Sequence, residues 1–218
     1  MIRIASFFGI FTAAVLVAYF MYFREPYDLP VYEPADLNPA LVDPQALKQG
    51  SHRILDFELV NQKGDTVRRA DVKGQILVVD FFFTRCATIC PKMTANLKRI
   101  HDRIEPSWPV QIMSHSVTPQ ADSVSVLQAY ANKQAANPDL WWFLTGPKTD
   151  IYKLARRSYF SCLDEGDGGF QDFVHTENIV LVDDQGRLRG FYDGTDSKAM
   201  SHLFSDLSFL AQKKAEKN

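Results

Sequence analysis

The longest hydrophobic feature of the chain comes first: Ile4 to Phe23 runs for twenty residues without a charge. As an α-helix rising 1.5 Å per residue, such a stretch spans about 30 Å, the thickness of a bilayer's hydrocarbon core. It is apolar on all faces, unlike a helix on the surface of a soluble domain. Tyr19 and Tyr22 fall near one end, where an interfacial aromatic belt belongs. The stretch is longer than a signal-peptide core, and Tyr22-Phe23-Arg24-Glu25-Pro26 contains no small-x-small cleavage site. An uncleaved single-pass anchor over residues 1–24 is therefore expected. Charge leaves its orientation open, because Arg3 and the amino terminus stand against Arg24, itself offset by Glu25.

Residues 25–50 carry five prolines and little periodicity, the pattern of an extended linker. Periodicity returns at residue 51, and a single domain over 51–218 is expected. Arg53 to Val60 alternates as a strand does, Asn61-Gln62-Lys63-Gly64-Asp65 reads as a turn, and Thr66 to Arg69 returns as the partner strand. Ile76 to Phe83 is an almost unbroken apolar run, which predicts a central strand covered on both faces. Met93, Leu97, Ile100 and Ile104 then recur at helical spacing. Further along, Val110 to Val117 and Trp141 to Leu144 read as strands, and Ala121 to Gln134 and Asp150 to Ser158 as helices. Asn178 to Asp183 and Gly190 to Tyr192 form a second hairpin, and Ser197 to Lys214 a closing helix. Alternating β and α elements that end in a hairpin and a helix predict a three-layer α/β sandwich with a mixed sheet.

Composition adds two constraints. With 46% apolar and 23% charged residues the chain has the make-up of a globular protein rather than a disordered one. A formal net charge of -2 and the lack of a long Lys/Arg stripe argue against a nucleic-acid partner.

The candidate chemistry lies directly after the central strand, in Cys86-Ala87-Thr88-Ile89-Cys90-Pro91. Cysteines at i and i+4 share one face of a helical turn, close enough to chelate a metal ion or to close a disulfide. At a strand-to-helix junction the unpaired N–H groups and the helix dipole favour thiolates, and Arg85 adds a cation. Two buried, inert thiols are the plain alternative. A soft dithiolate site suits Cu(I) or Zn(II), and an imidazole would complete a three-coordinate copper site. His175, at the end of the glycine-containing loop Gly168-Gly169-Phe170-Gln171-Asp172-Phe173-Val174, is the first candidate, against the plain reading of a surface histidine. His101 and His202 are expected on solvent-facing helix positions. His115 ends a strand and reads as a satisfied structural histidine or a neighbour of the site. Cys162 is an odd third thiol, read as buried and unreactive with a third-partner role as the alternative.

Phe83-Thr84-Arg85-Cys86-Ala87-Thr88-Ile89-Cys90-Pro91, the distant Asp172-Phe173-Val174-His175-Thr176 and the anchored, proline-containing N-terminus together resemble the Sco/SenC family of copper-binding assembly factors for cytochrome c oxidase. The likeness covers about residues 50 to 212. It implies a thioredoxin-like fold with an added N-terminal hairpin, and one copper ion held by Cys86, Cys90 and His175. It implies delivery of copper to the copper A centre in subunit II of the oxidase, or reduction of that centre's cysteines. It also implies an N-terminus in the cytoplasm and a domain in the periplasm, held by the inner membrane. Two departures stand out. Many members carry Asp-Pro where this chain has Thr118-Pro119, so a carboxylate near the site is missing or displaced, and Cys162 with the loop Asp164 to Gly169 lies outside the common pattern. A thiol-disulfide oxidoreductase using Cys86 and Cys90 is the rival function. A peroxide-reducing enzyme fits less well, since Cys86 lacks a Pro-x-x-x-Thr approach.

Overall fold

Two short strands, β1 (Glu58–Val60) and β2 (Thr66–Arg68), open the domain as an antiparallel hairpin. Its turn is built by Asn61, whose side-chain oxygen accepts from the N–H groups of Lys63 (2.9 Å) and Asp65 (3.0 Å), and by Gly64 in the left-handed region at φ +88. There follow β3 (Ile76–Phe82), α1 (Cys90–His101), β4 (Val110–Ser116), α2 (Val124–Lys133), β5 (Trp141–Leu144) and α3 (Lys148–Lys153), which runs on as a π-helical turn over Leu154–Ser158. The chain ends with β6 (Asn178–Val182), β7 (Leu188–Asp193) and α4 (Ser197–Ala215). This computed structural model describes residues 11–15, 19, 28–42, 47, 50–162, 174 and 176–216. The expected anchor lies outside them except at 11–15 and 19, which are helical; among the described residues no helix is long and apolar enough to cross a membrane.

The main sheet has the order β5-β4-β3-β6-β7, with β3, β4 and β5 parallel and β6 and β7 antiparallel to their neighbours. It is mixed, as the pattern of elements predicted. All seven residues of β3 are buried, and their period-two alternation feeds two cores. Ile76, Val78 and Phe82 pack on one face with Met93, Leu97 and Ile100 of α1, Leu127 of α2 and Leu203 and Leu207 of α4. Leu77, Val79 and Phe81 pack on the other with Leu59, Val67, Ile151, Tyr152 and Phe160. Helices therefore cover one face, and the hairpin with α3 covers the other, giving three layers.

Several local expectations change. The first strand is confined to Glu58–Val60, because the backbone before it bonds elsewhere: Ile54 N–H donates to the Gly186 carbonyl (2.9 Å), and the Phe57 carbonyl accepts from Arg69 N–H. Residues 28–42, within the stretch read as an extended linker, are docked on the domain rather than detached from it. Leu29 and Val42 are buried, and Tyr32 pairs with Leu188 on the free edge of β7. The segment is laid down by Arg189 of β7, whose buried guanidinium bonds Asp28 Oδ1 (2.7 Å), the Leu29 carbonyl (2.5 Å), the Pro30 carbonyl (2.9 Å) and Asp183 Oδ2 (2.8 Å).

The opposite edge of the sheet is closed by one side chain. Gln62, from the β1–β2 turn, donates to the Trp141 carbonyl (2.8 Å) and accepts from Phe143 N–H (2.9 Å), and is itself buried. Gln62→Leu keeps the bulk but removes both bonds and leaves buried backbone groups of β5 without them. It should lower stability by about 2–4 kcal/mol in urea unfolding; an unchanged midpoint would show that the edge does not depend on it.

Candidate metal centre

The thiols are placed by the turn that leaves β3. Thr84 is held there by Asp122, a fully buried residue whose carboxylate accepts from Thr84 N–H (3.2 Å) and Thr84 Oγ1 (2.5 Å). The same carboxylate takes Ser116 Oγ (2.6 Å) and Thr118 Oγ1 (3.0 Å) at the end of β4. Asp122 thus ties the exit of β3 to the exit of β4, two residues ahead of Cys86. This explains why α2 starts at Val124 rather than Ala121. It also places a carboxylate behind the turn although position 118 is threonine. Its sequence signal was the run Ser116, Thr118, Asp122 and Ser123, a set of short polar side chains between a buried strand and a helix.

Cys90 is the first residue of α1, and Cys86 lies in the loop before it, not on the same helical turn. The reason is Pro91. A proline has no N–H to give and fits a helix only in its first turn, so the helix cannot begin as early as Cys86. The thiols still meet, because Cys86 Sγ accepts the unpaired Cys90 N–H at 3.4 Å and touches Thr88 Oγ1 at 3.6 Å. Desolvation pushes the Cys86 thiol up, but the hydrogen bonds of the Cys90 thiol, of the Cys90 and Thr88 N–H groups and of the Thr88 hydroxyl outweigh it and bring it down to about 7. Arg85 is exposed and takes no part in this shift.

Cys90 behaves oppositely. Burial, the hydrogen bond with Cys86 and the negative charges of Cys86 and Asp80 push its thiol up to about 12, against a bond from the Phe83 backbone. Asp80 sits in the middle of β3, on its even face with Phe82. Burial raises its carboxyl to about 7, although Ser114 Oγ donates to it. Ser114 in turn accepts from Trp141 Nε1 (2.9 Å). Tyr130, bonded to Thr94 Oγ1 at 3.0 Å, is also held protonated by burial and by the charges of Asp80 and the two thiols. Sequence reasoning missed Asp80 and Tyr130; a lone acid within an apolar strand was the available sign of the first.

His175 lies outside the described residues, and among the described residues no group of three or more His, Cys, Asp or Glu side chains is placed to hold a metal ion. Its flanks are placed. Val174 and Thr176 are buried, Thr176 Oγ1 donates to the Ser161 carbonyl (2.6 Å), and Asn178 Nδ2 donates to the same oxygen (3.2 Å). Since β6 runs antiparallel to β3, with Val180 opposite Val79, this segment enters the sheet at the end where the cysteine turn leaves it.

The other histidines are resolved by contact. His101 does not face solvent: its Nε2 accepts from Asn137 N–H (3.0 Å), its Nδ1 lies 2.8 Å from Asp102, and its ring lies against Trp141. The closing turn of α1 is folded onto the loop before β5, which buries that face. His202 is exposed, as expected. His115 is fully buried beside Phe81, on the sheet face away from the thiols, and neither ring nitrogen has a hydrogen-bond partner. It is not the satisfied histidine expected; burial draws it down to about 4 and keeps it neutral. Cys162 is half-buried against the second core, and none of the three cysteines is in a disulfide.

A mixed five-stranded sheet with a buried central strand that runs into a cysteine turn and a helix defines a thioredoxin-like dithiol domain. The sequence profile of the SCO1/SenC family matches residues 45–207, and the chain belongs to that family. It is similar to the SCO1 protein homolog of Bacillus subtilis, 30% identical over 159 residues that cover 72% of this chain and 82% of that protein. Among solved structures it resembles a SCO1/SenC family lipoprotein from Bacillus anthracis, with 31% identity, a TM-score of 0.65 and coverage of 74% and 96%. It also resembles BsSco, described with a disulfide switch and as a member of the Sco family of cytochrome c oxidase assembly proteins, with 29% identity, a TM-score of 0.62 and coverage of 74% and 95%. A Stutzerimonas stutzeri relative, 26% identical over 141 residues covering 63% of this chain and 67% of that protein, is named for copper binding.

Two outcomes follow from this geometry. Alkylation of Cys86 should rise with pH through a midpoint near 7 and then level off, as its thiolate fills, while Cys90 lags throughout; peptide mapping after iodoacetamide pulses reads both, and equal labelling would contradict the asymmetry. Asp122→Ala frees Thr84 and should both cost about 2–4 kcal/mol in unfolding and move the Cys86 midpoint upward; a purely structural carboxylate would change only the first.

Proposed function

We propose that this protein is a membrane-anchored copper chaperone that binds one copper ion through Cys86, Cys90 and His175 and hands it to the copper A centre of cytochrome c oxidase, with subunit II as the receiving partner. The observation that carries this reading is the dithiol itself, two sulfurs in contact at the sheet end where the flanks of His175 also lie. Thiolates suit Cu(I), and an added imidazole nitrogen also accommodates Cu(II). The family membership, the copper-binding name of one relative and the oxidase-assembly description of another support the choice of cargo and recipient.

The residues divide the work. Cys86, already largely ionised near neutral pH, is the sulfur that meets the incoming ion first. Cys90 must lose a tightly held proton before it can ligate, so loading releases protons and strengthens as pH rises. Stepwise replacement of these ligands by the recipient's own would transfer the ion. The anchor over residues 1–24, the inner-membrane location and the periplasmic position of the domain belong to the same proposal; exposed Phe11, Val15 and Tyr19 on the described helical residues support the anchor.

The split acidity also favours a second reading, thiol-disulfide exchange. Cys86 thiolate attacks a partner disulfide and releases one partner thiolate; Cys90, after giving up its proton, attacks the Cys86 sulfur and releases the second. The pair ends oxidised and the partner reduced, and a further thiol reductant must restore the pair. The disulfide switch described for BsSco supports this use of the same sulfurs. His175→Ala separates the two. Copper affinity should fall by at least about tenfold, the lower bound seen when even outer-shell support of a ligand is lost, while reduction of a subunit II disulfide proceeds unchanged. Equal copper affinity in variant and parent overturns the chaperone reading.

A further inference from the structure

The thiols and the point where the N-terminal segment joins the domain lie at opposite poles. Cys86 and Cys90 follow the C-terminal end of β3. Its N-terminal end is bordered by the β6–β7 turn, since Leu77 pairs with Val182, and by the end of α4, where Lys214 Nζ meets Asp184 (3.2 Å). Asp28 is locked to this second pole from two sides, by buried Arg189 (2.7 Å) and by Lys213 Nζ (2.7 Å).

The geometry points to a fixed stance: we propose that this second pole rests on an anionic lipid surface and that the Cys86–Cys90 pair faces away from the membrane. The inference rests on the anchor reading above. From Phe23, where the apolar run ends, to Asp28 there are five chain steps, which reach about 18 Å at most. The seven residues of β3 alone separate the poles by roughly 23 Å. Turning the thiols onto the bilayer would lift Asp28 beyond the reach of its tether. Charge favours the same stance. At this pole Lys213, Lys214 and Arg187 are paired with Asp28, Asp184 and Asp183, whereas Arg53 and Lys73 are exposed and in no ion pair among the described residues, leaving a cationic excess for acidic headgroups. The recipient is then a protein that presents its metal-accepting thiols on a domain standing off the membrane, at about the height of β3 or more, rather than one whose site lies at headgroup level.

The test uses the full chain in phosphatidylcholine–phosphatidylglycerol vesicles, with Cys86, Cys90 and Cys162 replaced by serine and a fluorophore attached through Gln185→Cys or Lys92→Cys. Lys92 is exposed on the first turn of α1 and Gln185 on the β6–β7 turn. Quenching by headgroup spin-labelled lipid should be several-fold stronger at 185 than at 92, and equal or reversed quenching overturns the stance. Failure of the protein to float with the vesicles removes the anchor and the stance together, whereas flotation with the wrong order removes the stance alone. Arg189→Met should erode the contrast, and Asp28→Ala, at an exposed partner, serves if that variant does not fold. A contrast undiminished in the folded variants overturns the role of the latch.

Discussion

The chemistry of this domain depends on one buried carboxylate. Asp122 gathers the Thr84 N–H and hydroxyl with the hydroxyls of Ser116 and Thr118, and so joins the ends of two parallel strands just where the chain must turn. A loop without such a tie would sample many conformations, and each residue ordered costs roughly 1–2 kcal/mol of backbone entropy. Held by Asp122, the turn delivers Cys86 to the unpaired N–H of Cys90, and that bond makes one thiol acidic.

The other thiol is defined by what lies behind it. Asp80 occupies a position in β3 where an apolar residue would pack more easily, and its carboxyl is held near neutrality by burial with Ser114 as its hydrogen-bond donor. A group poised there changes the field at Cys90 whenever it ionises, so the affinity of the second sulfur for a proton, and hence for a metal ion, is coupled to the core of the sheet. Copper binding and thiol exchange draw on the same asymmetry: an exposed edge supplies a ready thiolate and the interior supplies a reluctant one.

The two ends of β3 also divide labour. At one end lie the thiols and the flanks of His175. At the other, Arg189 gathers three consecutive backbone or side-chain oxygens of residues 28–30 and binds Asp183 as well, a set of charge-assisted bonds that holds a proline-containing segment composition alone would leave loose. Removing one member of such a buried ionic set leaves the rest uncompensated, which makes the junction a specific mechanical element rather than a passive spacer.

The order of elements, the central strand, the dithiol turn and the candidate imidazole were legible in the amino-acid pattern, because each is a local signal: a run of buried side chains, a helical period, two cysteines beside a proline. Even so, Pro91 was visible in the sequence, and its bar on an earlier helix start went unread, so the shared helical turn expected for Cys86 and Cys90 became a loop capping a helix. What the tertiary structure alone decided is non-local. Asp122 acts on Thr84, which is 38 residues away in the chain, Gln62 on β5, Arg189 on residues about 160 positions earlier, and His101 is buried by a loop that follows β4. Such pairings bring distant backbone and side-chain groups within hydrogen-bond distance only after the sheet has formed, and no period or spacing along the chain encodes them.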